Sequence, residues 1–537
     1  MNNNRCFISA RGGTKRSSTI VGFIFILFLV QPVAMSVAAP APGADAMQDI
    51  QNVTTGRTGY KLAPVNEAQC EETIQYAISC LLENSLSKDE AVQIALLNNR
   101  ELQARLADLG IARGDLIDAG LLKNPLLDFL YRKSNAPDTL ANLEWSVTLD
   151  FLNLLTLPLR RAIAASEFET TKLEIANDVL NLAFDVQSAY YNLQAATQAG
   201  KMYQAAVNAS KAAYDGAQVL HEAGNITDLA FHQEQAIYEE QKLLLAEAET
   251  ETVALREELN MLMGLWGNQV AWKIPDKLPE MPAREFQGAG LESVAVYQRL
   301  DLASIRQDIE TLARESGLQD ATRLLPELSG QFAAERDTDG SWLRGGGVSL
   351  PIPLFNQGQG RVLKAQAKLN QARHRYYAKA VNIRSEVRKA FAQMRKNRER
   401  VRYYDKIMLP LRKRMVEESH LLFNSMDVSP FELLASKREE INAQRDRTEA
   451  LRAYWVARSD LERALGGSFQ CYTGPNSTPP NEGSQSNDKI RKRIPSGDAP
   501  SGTANPNSGG SATGKAGTDG SGTAATGSVA ASSGGAI

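Results

Sequence analysis

Between Leu143 and Phe151 apolar side chains alternate strictly with polar ones: Leu143, Trp145, Val147, Leu149 and Phe151 against Glu144, Ser146, Thr148 and Asp150. A period of two predicts a strand with two unlike faces. Leu127, Phe129 and Tyr131 form a shorter run of the same kind just upstream. Ahead of both, Ser87 and Glu90 make a capping box for a helix that runs through Arg100-Glu101-Leu102 towards Gly120, ended by Asn124-Pro125. After the strands the period lengthens. No proline occurs between Pro158 and Pro275, and the segment is rich in the strong helix formers Ala, Leu, Gln, Glu and Lys. Val186, Leu193, Val207 and Tyr214 fall at multiples of seven, as in a coiled-coil seam. The one strong break is Ala223 to Asp228, where Gly224 ends one helix and Thr227 caps the next. From Pro158 to Gly224 the helix is roughly 100 Å long, too long for a compact globule. A second helix returns to about Leu265, and Pro275, Pro279 and Pro282 mark a linker.

The plan then repeats. Leu300-Asp301-Leu302 answers Arg100-Glu101-Leu102, Leu325-Pro326 answers Asn124-Pro125, and Val348-Ser349-Leu350 answers Val147-Thr148-Leu149. Asn424 to Ser429 answers the turn at Gly224, and Leu465-Gly466 answers Met263-Gly264, all at offsets of 200 to 202 residues. A constant offset across landmarks of several kinds reads as an internal duplication. The second strand-to-helix joint, Gly345 to Val362, is expected to run as strand, pass Pro351 and Pro353, and open without a break into the helix. Prolines there end sheet hydrogen bonding.

The ends of the chain differ from this plan. Arg5, Arg11, Lys15 and Arg16 precede an apolar run from about Ile20 to Val30 and then small residues, so residues 1–39 read as a cleaved signal peptide. Residues 40–85 read as an irregular lead-in, 86–270 as the first repeat and 271–290 as a linker. The second repeat spans 291–467, and 472–537 is a Gly/Ser/Thr/Ala-rich tail expected to be disordered. Strands are expected at about 126–152 and 327–352, and helical hairpin tips at about 224–228 and 424–430. With the signal removed, Cys70, Cys80 and Cys471 remain; a Cys70–Cys80 bridge is the candidate disulfide, with Cys471 able to pair with either. A net charge of -3 with signs interspersed gives no case for nucleic acid.

Four strands leave two open edges, which lipid does not tolerate. A barrel of at least eight strands requires chains to pool theirs, and three copies would supply twelve. The polar helices then stand in water and extend the barrel as a second tube.

The ordered motifs carry a resemblance. Ala95-Leu96-Leu97-Asn98-Asn99-Arg100-Glu101-Leu102, Arg299-Leu300-Asp301-Leu302, Leu350-Pro351-Ile352-Pro353-Leu354-Phe355-Asn356-Gln357-Gly358, Met408-Leu409-Pro410 and the two turns are similar to those of the TolC-like outer-membrane efflux protein family, over about Leu86 to Gly467. The Pro-Ile-Pro-Leu-Phe-Asn-Gln-Gly wording resembles its heavy-metal (CzcC-like) branch. The resemblance implies a mainly α fold with a small β part: duplicated helix–strand–strand–helical-hairpin units forming an α-helical tunnel and a trimeric twelve-stranded barrel. It implies an outer-membrane exit duct of a tripartite efflux pump in a Gram-negative bacterium, a homotrimer meeting a periplasmic adaptor (membrane fusion protein), an inner-membrane transporter and outer-membrane lipid, with no cofactor. The tips, Gly224, Asn225, Ile226 and Thr227 with Ser425, Met426, Asp427, Val428 and Ser429, would contact the adaptor. Asp228 and Glu432 would sit at the pore constriction. Met426 departs from the usual Gly, and Gln233 and Ala435 stand where a second acid is common.

His221, His232 and His420 cluster near the turns but lack metal-ligand spacing, and read as solvated helix residues. No H-E-x-x-H or G-x-S-x-G occurs, and the Gly509–Lys515 stretch lacks the hydroxyl of a phosphate loop at Ala516, so no enzyme is indicated. The competing readings are a soluble periplasmic coiled-coil adaptor or scaffold, a type I secretion exit duct, and an exported hydrolase of unfamiliar chemistry.

Overall fold

A computed structural model describes residues 42–60, 62, 68–133, 135, 140–283, 290–325 and 327–468. The signal segment, Cys471 and the tail lie outside the described residues. The first half runs α3 (Lys88–Asn98), α4 (Arg100–Ala119), β1 (Leu126–Arg132), β2 (Asn142–Asp150), α5 (Phe151–Glu222) and α6 (Asp228–Met263), preceded by α1 (Pro42–Thr58) and α2 (Ala68–Leu82). The second half repeats the order: α7 (Leu291–Gln298), α8 (Leu300–Ala321), β3 (Ser329–Arg336), β4 (Trp342–Ser349), α9 (Gln359–Tyr403), α10 (Leu409–Asn424) and α11 (Pro430–Leu465). A π-turn at Tyr404–Met408 joins α9 to α10 just ahead of Pro410, whose missing N–H interrupts the helical ladder.

The strands form one antiparallel sheet in the order β1-β2-β3-β4, with Phe129 opposite Trp145, Trp145 opposite Ala334, and Ala334 opposite Arg344. Below it α5, of 72 residues and about 108 Å, is the element on which the other helices pack. Its neighbours are α4 and α8 near the sheet and α6 and α11 further down, with α9 lying against α8 and α11. The core gathers around the middle of α5, where Ile175, Val179, Phe184, Val186 and Leu193 meet Ile94 and Leu96 of α3, Ile383 and Val387 of α9, and Leu451, Tyr454 and Leu461 of α11. The heptad positions Val186, Leu193 and Val207 are buried, as the periodicity requires. The segment after α6 is clipped to this core by amides: Gln194 Nε2 donates to the Pro275 and Lys277 carbonyls at 3.0 and 2.9 Å, and Leu278 N donates to Gln198 Oε1 at 3.0 Å.

Several expectations are corrected. The lead-in is not irregular: it contains α1 and α2, and α1 docks Ala46 and Ile50 into the core. The helix expected from Leu86 to Gly120 breaks at Asn99, whose Oδ1 accepts from Leu102 N at 2.9 Å and so starts α4 as a new helix. Phe151 begins α5 rather than ending β2, because Asp150 caps the helix by accepting from Asn153 N at 3.0 Å. The second joint is not continuous: residues 350–358 separate β4 from α9. There Pro351 and Pro353 favour extended backbone before them, and Gly358 turns the chain into the helix at φ +72°. The Cys70–Cys80 disulfide is excluded, because both residues lie in α2 and ten residues of helix separate their Cα atoms by about 15 Å. Cys80 is a free, exposed thiol.

Candidate functional site

The register divides the sheet into two faces. Leu127, Phe129, Tyr131, Leu143, Trp145, Val147, Leu149, Ala334, Phe332, Trp342 and Val348 share one face with Arg336 and Arg344. The opposite face carries Asp128, Arg132, Glu144, Ser146, Thr148, Asp150, Gln331 and Glu335, with Leu126, Leu130, Ala333 and Leu343 among them. An apolar face beside a polar one matches a wall between lipid and water. The strands have 7 to 9 residues, about 23–30 Å, close to the height of the apolar band of an outer-membrane barrel. On the polar face Arg132 pairs with Glu144 at 2.7 Å and Asn142 donates to Glu335 at 2.5 Å, leaving an excess of carboxylate. Both edge strands, β1 and β4, are exposed along their whole length.

Where the sheet meets the helices, large apolar side chains stand in solvent: Leu121, Leu122, Leu155, Leu350, Ile352 and Phe355, the last 95% exposed. This collar was not singled out as a functional feature from the sequence. Its signal was the apolar character of the joint itself, from Leu350 to Phe355. No helix among the described residues is long and apolar enough to cross a membrane.

At the other end, α11 runs antiparallel to α5, with Tyr191 stacked on Trp455 at 5.2 Å and Gln198 Nε2 donating to Thr448 Oγ1 at 3.2 Å. Equal rise along both helices therefore brings Gly224 and Met426 to the same end. The two tips share one backbone design. Gly224 and Asn225 donate to the His221 and Leu220 carbonyls at 2.9 and 2.8 Å, while Met426 and Asp427 donate to those of Phe423 and Leu422 at 3.0 and 2.9 Å. Both are Schellman closures, which need a left-handed residue. Gly224 supplies it at φ +73° and Met426 at φ +65°. Thr227 and Ser429 then cap the returning helices through Ala230 N and Glu432 N. Ile226, Val428 and Ser429 are half-buried, whereas the other tip residues are exposed.

The candidate acids have different settings. Asp228 Oδ1 lies 2.7 Å from His221 Nε2, and this hydrogen bond holds the Asp228 carboxyl below its ordinary value. Behind it the rings of His221, Phe231, Tyr214 and Tyr238 stack in sequence, at 4.8, 5.7 and 5.6 Å. The clasp was legible in principle, since Tyr214 to His221 and Phe231 to Tyr238 are both steps of seven. Glu432 lies in the first turn of α11, with its N–H on the Ser429 cap. His232 faces Gln235 and His420 faces Asn424. Among the described residues no group of three or more His, Cys, Asp or Glu could hold a metal ion.

A small antiparallel sheet with unlike faces, set on long helices that end in paired tips, defines the fold of the TolC-like outer-membrane channels, so the resemblance read from the sequence holds at the level of fold. The chain is 22% identical over 395 residues, 71% of its length and 90% of the relative's, to the cobalt-zinc-cadmium resistance protein CzcC of Cupriavidus metallidurans. It matches a crystal structure of CusC with a TM-score of 0.60 at 18% identity, covering 71% of this chain and 92% of that one. It also matches the CmeC outer membrane channel of Campylobacter jejuni, with a TM-score of 0.61 at 18% identity, covering 75% and 88%. No family model matches the chain. The proteins it is similar to are channels and a resistance protein rather than enzymes.

Proposed function

We propose that the chain is the outer-membrane exit duct of a tripartite efflux pump in a Gram-negative bacterium. The observation that carries this reading is the sheet: one face mainly apolar, the other bearing most of the polar and acidic side chains, and both edges open. Three copies pair β4 of one with β1 of the next, close twelve strands into a barrel, and leave no edge in lipid. The apolar face then meets lipid, the carboxylate-rich face lines the lumen, and the collar lies at the periplasmic surface of the outer membrane. The segments 86–270 and 291–467 act as two copies of one unit within each chain, behind a signal peptide that directs export. The helices extend the lumen into the periplasm, where the tips meet an adaptor that links the duct to an inner-membrane transporter. Transport energy comes from that transporter, so the duct itself needs no cofactor.

Excess carboxylate on the lumen face favours cations. The name of the cobalt-zinc-cadmium resistance relative supports metal cations as the cargo over organic toxins. Asp228 and Glu432, repeated three times, add negative charge at the tips. Glu432→Gln is expected to lower cation selectivity, and an unchanged reversal potential would refute that role for Glu432. Membrane fractionation tests the whole reading. The duct should need detergent for extraction and run as a heat-modifiable trimer; release by a salt or alkaline wash as a monomer would support the soluble scaffold instead.

A further inference from the structure

The net charge of -3 hides a strong segregation of charge between helices. α6 carries nine Asp/Glu and two Lys/Arg, whereas α9 carries fourteen Lys/Arg and two Glu. These helices occupy opposite margins of the chain. The lower helical layer runs α6, α5, α11 and then α9 with α10; α6 packs on α5 and α3, and α9 on α7, α8 and α11. Each marginal helix keeps an uncovered apolar stripe. On α6 it includes Leu229, Leu243 and Val253, 61–69% exposed. Along α9, the π-turn and α10 it includes Tyr403, Ile407, Leu411 and Met415, 40–52% exposed.

Resting on the trimeric duct proposed above, we propose that the acidic stripe of α6 is the docking surface for the basic stripe of α9 and α10 on the next copy of this chain, so that an ionic seam closes the ring. A head-to-tail contact of this kind uses two different surfaces of each copy and closes by rotation. Both helices rise from tips at the same end, so residues can be matched by counting up from Asp228 and from Asn424. Glu240 then stands level with Arg414, Glu247 with Lys406, Glu249 with Arg402 and Glu258 with Lys396, each within two residues or about 3 Å. Among the described residues none of these eight side chains has an ion-pair partner within the chain. The apolar stripes supply contact area, and opposite charges on either side set register and reject the like-with-like pairings α6–α6 and α9–α9.

The test uses the full chain in nonionic detergent, with oligomer mass read by native mass spectrometry from about 0.05 to about 1 M salt. One variant reverses the α6 edge (Glu240→Lys, Glu247→Lys, Glu249→Lys, Glu258→Lys). A second reverses the other edge (Lys396→Glu, Arg402→Glu, Lys406→Glu, Arg414→Glu), and a third carries all eight changes. Each single-edge variant should lose assembled protein at least about tenfold at low salt, and the eightfold variant should recover it. Circular dichroism confirms that the helices are intact. Wild-type assembly by a single-edge variant, or an eightfold variant of native helicity that stays dissociated, overturns the seam. A wild-type chain that is itself monomeric overturns the trimeric reading instead.

Discussion

At the helix break of the first half, neutral amides hold the chain: Asn98 Nδ2 donates to the Met263 and Gly264 carbonyls at 3.0 and 2.7 Å, and Asn99 Nδ2 to that of Leu262 at 2.9 Å. At the matching break of the second half an ionic cluster replaces them. Arg299 grips Asp301 through two nitrogens at 3.0 and 2.6 Å, Lys379 reaches Asp301 at 2.9 Å, and Glu386 meets Arg299 at 2.5 Å. The tips differ in the same way. The first has Gly224 and an aromatic clasp, and the second has Met426 in the glycine conformation, 93% exposed. One backbone plan is thus held by two chemistries, and the halves should respond differently to pH and to substitution.

The largest contrast is expected at the glycines that close the returning helices. A Cβ at Gly264 would lie 2.8 Å from the Asn98 carbonyl oxygen, at φ +68°. Gly264→Ala should therefore cost about 3 kcal/mol in thermal or denaturant unfolding. Gly466→Ala meets Arg299 only at 3.4 Å and should cost about 1 kcal/mol, for left-handed strain alone.

Next in size is the ionic cluster. Burial alone would raise the Asp301 pKa, but the hydrogen bonds from Arg299 and Lys379 outweigh it and hold the carboxyl below its ordinary value. A depressed carboxylate pKa stabilises the fold above the unfolded value of about 4 and ceases to do so as pH falls through the folded value. Asp301→Asn should cost about 2 kcal/mol at neutral pH, since it leaves Arg299 short of a partner. The difference from wild type should close as pH falls below the unfolded value and through the lower folded one. Asn99→Ala, which removes a neutral cap, should cost about 1 kcal/mol with no such pH dependence.

The tips give the smallest effects. Phe231→Ala removes the middle of the ring stack and should cost about 1.5 kcal/mol, seen as faster amide exchange confined to the first tip. Met426→Gly relieves left-handed strain and should slow exchange at the second tip, by about 1 kcal/mol.

The sequence showed most of the plan, because its landmarks are local. The alternation from Leu143, the capping box at Ser87 and the turn at Gly224 are each written within a few residues. What escaped depends on distant partners or competing local signals. Residues 42–58 look irregular by composition, yet α1 forms where Ile50 can dock on α5. Asn99 reads as a tolerated polar residue inside a helix until its cap to Leu102 is seen. The His221–Asp228 pair required the hairpin to close before the six intervening residues could place the two side chains together. The collar needed the register, which shows that Leu350 to Phe355 lie just beyond the sheet.

Planar-bilayer recording of the purified, detergent-extracted chain tests the conduit most directly. The duct reading predicts discrete conductance steps, cation-selective in a salt gradient, carried by the trimeric fraction. Trimers that yield no conductance after mild opening, or a chain that never leaves the aqueous phase, would contradict it.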